Sequence, residues 1–168
     1  GVTGGRRTGY GRVVVGTARA HGTDQLLLGA KAAAEGDLNG ALASSSRLRN
    51  RDCDTSALLL PADRHAELQN WIQQEFESID EILRGLSAVG ELTPRTNDMV
   101  VSFGERLSSR MVAEAFRERG VEAVHTDPRP VMVTAAQYGQ ATPPSALIQA
   151  RCGHHVQPLA HAGPCPVR

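Results

Sequence analysis

The sequence predicts a layered α/β fold on a largely parallel sheet. Short apolar runs, of which "RVVV" and "VEAVHT" are clearest, alternate with long helical periods. No two-residue hairpin signal joins them, and no internal repeat is present. With 168 residues, the chain suits one domain able to bury roughly 70% of its unfolded surface. In such sheets ligands collect beyond the carboxyl ends of strands, where the following helices begin.

The elements follow in order. Residues 1–11, "GVTGGRRTGYG", hold five glycines and no periodicity, so they read as a flexible lead-in to a domain over residues 12–168. Val13–Val15 reads as a buried strand. A Leu- and Ala-rich helix is predicted from Thr23 to Glu35, capped by Thr23 or Asp24 and stopped by Gly36. A more polar helix is predicted over Leu38–Arg51. Pro61–Leu86 has the cleanest helical period, with Leu68, Ile72, Phe76, Ile79, Leu83 and Leu86 on one face. Thr93 as N-cap and Pro94 at the first helical position start a helix expected to reach Arg119, ended by Gly120. Val121–His125 then reads as a strand and Val131–Val133 as a broken edge strand. A last helix is expected from Ser145 to His161, ahead of Gly163 and a strand beginning at "CPV".

Composition narrows the partner. Eighteen basic and eighteen acidic side chains cancel, which argues against nucleic acid and anionic membranes and for a small-molecule partner. Seventeen of the basic residues are arginine and one, Lys31, is lysine. Three widely spaced cysteines, without a CxxC pair or a secretory signal, point to a reducing cytoplasm. No apolar run approaches the ~18 residues that span a bilayer. The chain begins on glycine and breaks off in "GPCPVR", and is expected to be a piece of something longer.

On the helix from Pro94, the apolar stripe is Met99, Val100, Phe103, Leu107, Met111, Val112, Ala115 and Phe116. Glu105 lies about 200° around from Phe103, so periodicity alone makes it a surface residue. Gly104 beside it is costly in a helix, by about 1 kcal/mol relative to alanine, and marks close approach of another group. Cys152, His155, His161 and Cys165 have no standard zinc spacing. His125, at the end of an expected strand with no placed nucleophile, reads as structural.

The run "VGELTPRTNDMVVSFGERLSSRMVAEAFRERGVEAVHTD" (89–127) resembles the aspartate kinases, whose pattern is LGELTPRxxDxxxSFGERLSS. The resemblance continues through "VMVTAAQYGQATP" (131–143) and "VQPLAHAGPCPV" (156–167), and upstream "TDQLLLGAKAAAEGD" (23–37) is similar to the segment after that family's first strand. It covers Thr23 to Val167. It implies an α/β/α amino-acid kinase-like fold, incomplete here and represented by its helix-rich half. It also implies ATP- and Mg²⁺-dependent phosphorylation of the β-carboxylate of L-aspartate to 4-phospho-L-aspartate, the entry to lysine, threonine and methionine synthesis.

Carried over by residue, Glu105 is the contact to the substrate's ammonium and Thr23 a second contact to the amino acid, with Arg106 and Ser108 completing the motif. The resemblance allows a homodimer in the full-length protein. Of the family's SAxxGVTD segment only Gly22-Thr23-Asp24 agree, and the phosphate-holding KFGGTS strand has no counterpart. "GVTGGRRTG" has no lysine and is not a Walker A loop. The chain alone is therefore expected not to phosphorylate aspartate. Two other readings compete: another amino-acid kinase relative, against which ELTPR and GERLS argue, and a non-catalytic small-molecule-binding fragment.

Overall fold

The structure is a computed structural model and describes residues 22–132 and 145–161. The chain divides into two units, Gly16–His125, and Thr126–Arg168 together with Gly1–Val15.

The first unit holds four helices: α1 (Gly22–Ala34), α2 (Leu38–Leu59), α3 (Ala62–Val89) and α4 (Pro94–Glu118). Gly36 stops α1 in the left-handed region at φ 98°. There Gly36 and Asp37 donate back to Ala33 and Ala32 at 3.0 and 2.8 Å, closing the orphan carbonyls of the last turn. Asp37 then caps α2, its carboxylate accepting from the Gly40 amide at 2.9 Å. Small residues let α1 approach its neighbours: Ala30 and Ala33 are fully buried, and a Cβ on Gly29 would stand 3.9 Å from the Ala41 carbonyl.

The stripe predicted on α3 is the inward face. Leu68, Ile72, Phe76, Ile79, Leu83 and Leu86 are all buried, each worth about 1.5–3 kcal/mol relative to exposure. Gly90, at φ 74°, ends α3. Thr93 caps α4 by accepting from the Thr96 amide at 3.2 Å, and Val100, Phe103, Leu107 and Met111 join the same core. In packing order α1 lies against α2, α2 against α3, and α4 closes back on α1.

Several expectations are corrected. Helix α2 runs eight residues beyond Arg51, to Leu59. Gly22 is already helical, so Thr23 and Asp24 sit in the first turn of α1 rather than at its cap. Met99, Val112 and Phe116 are exposed rather than part of the buried stripe.

Among the described residues there is no strand, so the parallel sheet is not found in them. Val121–His125 has no regular structure, although burial still alternates, Ala123 and His125 being half-buried and Val124 exposed. An extended run becomes a strand only through a ladder of hydrogen bonds to a neighbour, and no described segment pairs with it. Val131–Val133 is also corrected as far as it is described: Val131 and Met132 donate to the Pro128 carbonyl in a turn. Val133, Val13–Val15 and "CPV" lie outside the described residues.

In the second unit the expected single helix is two, α5 (Ser145–His155) and α6 (Gln157–His161), broken at Val156. Pro158 has no N–H to return to the preceding turn, so the helix stops and restarts with proline near its beginning. Arg151 reaches the Pro130 carbonyl at 3.0 Å, and Arg129 pairs with Asp127. No described helix is long and apolar enough to cross a membrane.

Candidate functional site

Glu105 follows two buried residues of α4, Phe103 and Gly104, and is itself half-buried. It has no ion-pair or hydrogen-bond partner among the described residues. Thr23 is half-buried in the first turn of α1, and its Oγ1 is buried with no partner there. The residues immediately before these two, Gly22 and Gly104, line one cavity, together with Leu26, Leu48, Arg51, Asp52, Phe76, Leu107, Ser108 and Met111. The seam between α1 and α4 thus brings both backbone positions to a common space. A water's centre can occupy only ≈ 20 Å³ of it, room for about one water and not for an amino acid.

The polar residues around this cavity are firmly placed. Asp52 is buried and bound by Arg51, whose Nη2 and Nε lie 3.0 and 3.2 Å from Oδ1. Ser108, of the GERLS motif, is buried on the cavity wall. Burial pushes the Cys53 thiol up from its ordinary value; Asp52 and, more weakly, Asp54 act in the same direction, against Arg49.

Arg106 turns away from the cavity's lining to α3, with Nη2 2.6 Å from Glu75 Oε2 and Nη1 3.3 Å from Oε1. Further along α4, Arg110 and Arg117 share Glu114 at 3.1 and 2.7 Å. Arg117 also donates to the Ala123 carbonyl at 2.6 Å. This last bond holds the chain after α4 alongside it.

His125 meets Ser109 of α4. Ser109 Oγ gives its proton to the Arg106 carbonyl and so accepts from His125 Nε2 at 3.0 Å. Among the described residues no three His, Cys, Asp or Glu side chains are grouped to hold a metal ion; Cys165 and the His161 side chain lie outside them. Lys31, in the last turn of α1, is exposed and about 12 Å along the axis from Thr23. On α4, Arg106, Arg110 and Arg117 are paired with carboxylates, and Arg95 in its first turn is exposed. No lysine lies at the α1–α4 seam, and the arginines there, Arg51 and Arg106, are held by Asp52 and Glu75, so the described residues of this seam do not fit a nucleotide's phosphates.

Sequence reasoning missed Glu75, Arg51 and Asp52. The "RLRNRDCD" run reads as a solvated helix end, and only the packing of α2 shows that Asp52 points inward.

No protein-family model matches the chain. Lysine-sensitive aspartokinase 3 of Escherichia coli (strain K12) is 32% identical over 96 residues, 56% of this chain and 21% of that protein. Chloroplastic aspartokinase 1 of Arabidopsis thaliana is 43% identical over 51 residues, 30% of this chain and 9% of that one. Among solved structures, E. coli aspartokinase III in complex with lysine and aspartate superposes with TM-score 0.76 at 26% identity, over 88% of this chain and 31% of that one. The same E. coli protein in complex with aspartate and ADP gives 0.75 over the same shares. The chain thus spans a third or less of each of these relatives.

Proposed function

We propose, from a likeness to the aspartokinases that sequence and fold carry alike, that this chain supplies the amino-acid side of an aspartate kinase. The whole protein would phosphorylate the β-carboxylate of L-aspartate with ATP and Mg²⁺, giving 4-phospho-L-aspartate. The observation that carries this reading is Glu105: a half-buried carboxylate, unpartnered among the described residues, inside the motif that matches the family. A carboxylate so placed suits the α-ammonium of an amino acid, because partial desolvation strengthens the pair relative to water. Thr23 Oγ1, buried without a partner, would give the ligand a second polar contact. The cavity beside Gly22 and Gly104 is too small to hold aspartate, so the ligand would lie over this seam rather than in it.

For the 168 residues taken alone, the absence of a phosphate cradle among the described residues favours binding without turnover. A cytoplasmic setting and a homodimer of the full-length protein belong to the same reading. Titration calorimetry with L-aspartate tests it. Glu105→Gln should weaken binding ten- to a hundredfold, about 1.4–2.7 kcal/mol, and in a full-length enzyme should raise KM for aspartate far more than KM for ATP. Aspartate affinity unchanged by this substitution would return Glu105 to the role of a surface residue.

A further inference from the structure

Glu105 and Arg106 are adjacent on α4 and opposite in charge, yet they do not pair. Adjacency is no bar to it, since on α2 Arg51 and Asp52, also neighbours in sequence, pair at 3.0 Å. What differs is the helix opposite. On α3, Glu75 meets both Nη atoms of Arg106 with both of its oxygens, at 2.6 and 3.3 Å. The Phe103 ring completes the seat, its centroid 4.3 Å from the guanidinium carbon.

The Arg106 and Glu75 side chains are only 11% and 14% exposed, so the pair is shielded far more than a surface one. Within four residues of Arg106 on α4, Glu105 is the one carboxylate. A guanidinium released from Glu75 would have that group as its nearest partner on its own helix.

We propose that Glu75 is a positioning residue that diverts Arg106 from Glu105, leaving the Glu105 carboxylate to a ligand's ammonium. The inference rests on the reading of Glu105 given above. It explains how a helix carries a cation next to an anion without the two neutralising each other.

A double-mutant cycle of Glu105→Gln and Arg106→Gln, read by urea unfolding of the chain, tests the diversion without any ligand. The two substitutions should be additive in the parent. They should couple by about threefold in the unfolding equilibrium constant once Glu75 is Gln, the size of a modest ion pair. Glu75→Asp, which keeps the charge one methylene short, should give an intermediate coupling and serves if Glu75→Gln does not fold. Coupling no larger than in the parent for either variant overturns the proposal.

Aspartate calorimetry gives the second readout. Glu75→Gln should weaken binding about tenfold, and Glu75→Gln with Arg106→Gln should recover most of that loss. A Glu75 that merely braced the two helices would leave the double variant as weak as the single one, which would also overturn the proposal. Failure of the parent reading is distinct: it shows as aspartate binding indifferent to Glu105→Gln, whatever the cycle gives.

Discussion

The hydroxyl of Ser56 and Nδ1 of His65 lie 2.8 Å apart, and the hydroxyl's single proton is already given to the Cys53 carbonyl at 2.8 Å. The hydroxyl therefore accepts, His65 carries its proton on Nδ1, and the end of α2 is tied to the first turn of α3. Ser56 is fully buried, so Ser56→Ala should leave the imidazole N–H without its acceptor. A loss of about 1–2 kcal/mol in urea unfolding is expected, and an unmoved midpoint would contradict it.

Thr93→Ala should remove the cap of α4 and cost about 1 kcal/mol. Thr93→Ser, which keeps the hydroxyl, should recover most of it. Thermal unfolding by circular dichroism makes the comparison.

Phe76 is 1% exposed at the centre of the four-helix core, and Leu58 is 89% exposed. Phe76→Ala should cost about 3–5 kcal/mol, and Leu58→Ala no more than about 0.5 kcal/mol. Similar costs at the two positions would mean that the core lies elsewhere.

Because burial raises the Cys53 thiol above its ordinary 9.0, the folded chain holds that proton more tightly than the unfolded one. Stability should be unaffected below the ordinary value and fall as pH rises from it toward the folded value. Cys53→Ser should flatten that decline when urea midpoints are measured across pH 7–10.5. A parent and variant that decline in parallel would exclude Cys53 as the cause.

Phosphoryl transfer is positioning and charge neutralisation around the phosphates. The single lysine is exposed at the end of α1 and Arg106, Arg110 and Arg117 are engaged by carboxylates, so the 168-residue chain should form no aspartyl hydroxamate with ATP and Mg²⁺. Turnover within tenfold of the ordinary kinase range of about 1–100 per second would show that other groups supply the cradle.

The helices were legible where punctuation is local. Thr93-Pro94 and the glycines at 36, 90 and 120 act through their own backbone geometry, and the α3 stripe repeats at helical period. The end of α2 was not legible, because its inward face reads Ala41, Ser45, Leu48, Asp52, Ser56, and a face that turns polar carries no hydrophobic period. Ser45 is accommodated by donating to Asp80 of α3 at 2.6 Å, a partner 35 residues away that no local pattern announces. Val121–His125 has the composition of a strand, but pairing is a property of two segments and composition of one. The family resemblance is borne out by sequence and fold. Glu105 was singled out through that resemblance, whereas the Glu75–Arg106 pair that frames it needed two helices to be seen side by side.

The order in which the helices meet has a consequence for synthesis. Helices α1, α2 and α3 each lie against the next in sequence, so a nascent chain can settle them while α4 is still inside the ribosome. The α1–α4 seam joins the ends of the unit and must wait for the longest loop to close. Gly22 and Gly104 face their shared cavity only after that step. Translation thus delivers a core first and the α1–α4 seam last, and a pause before α4 would leave a helical intermediate in which that seam has not yet formed.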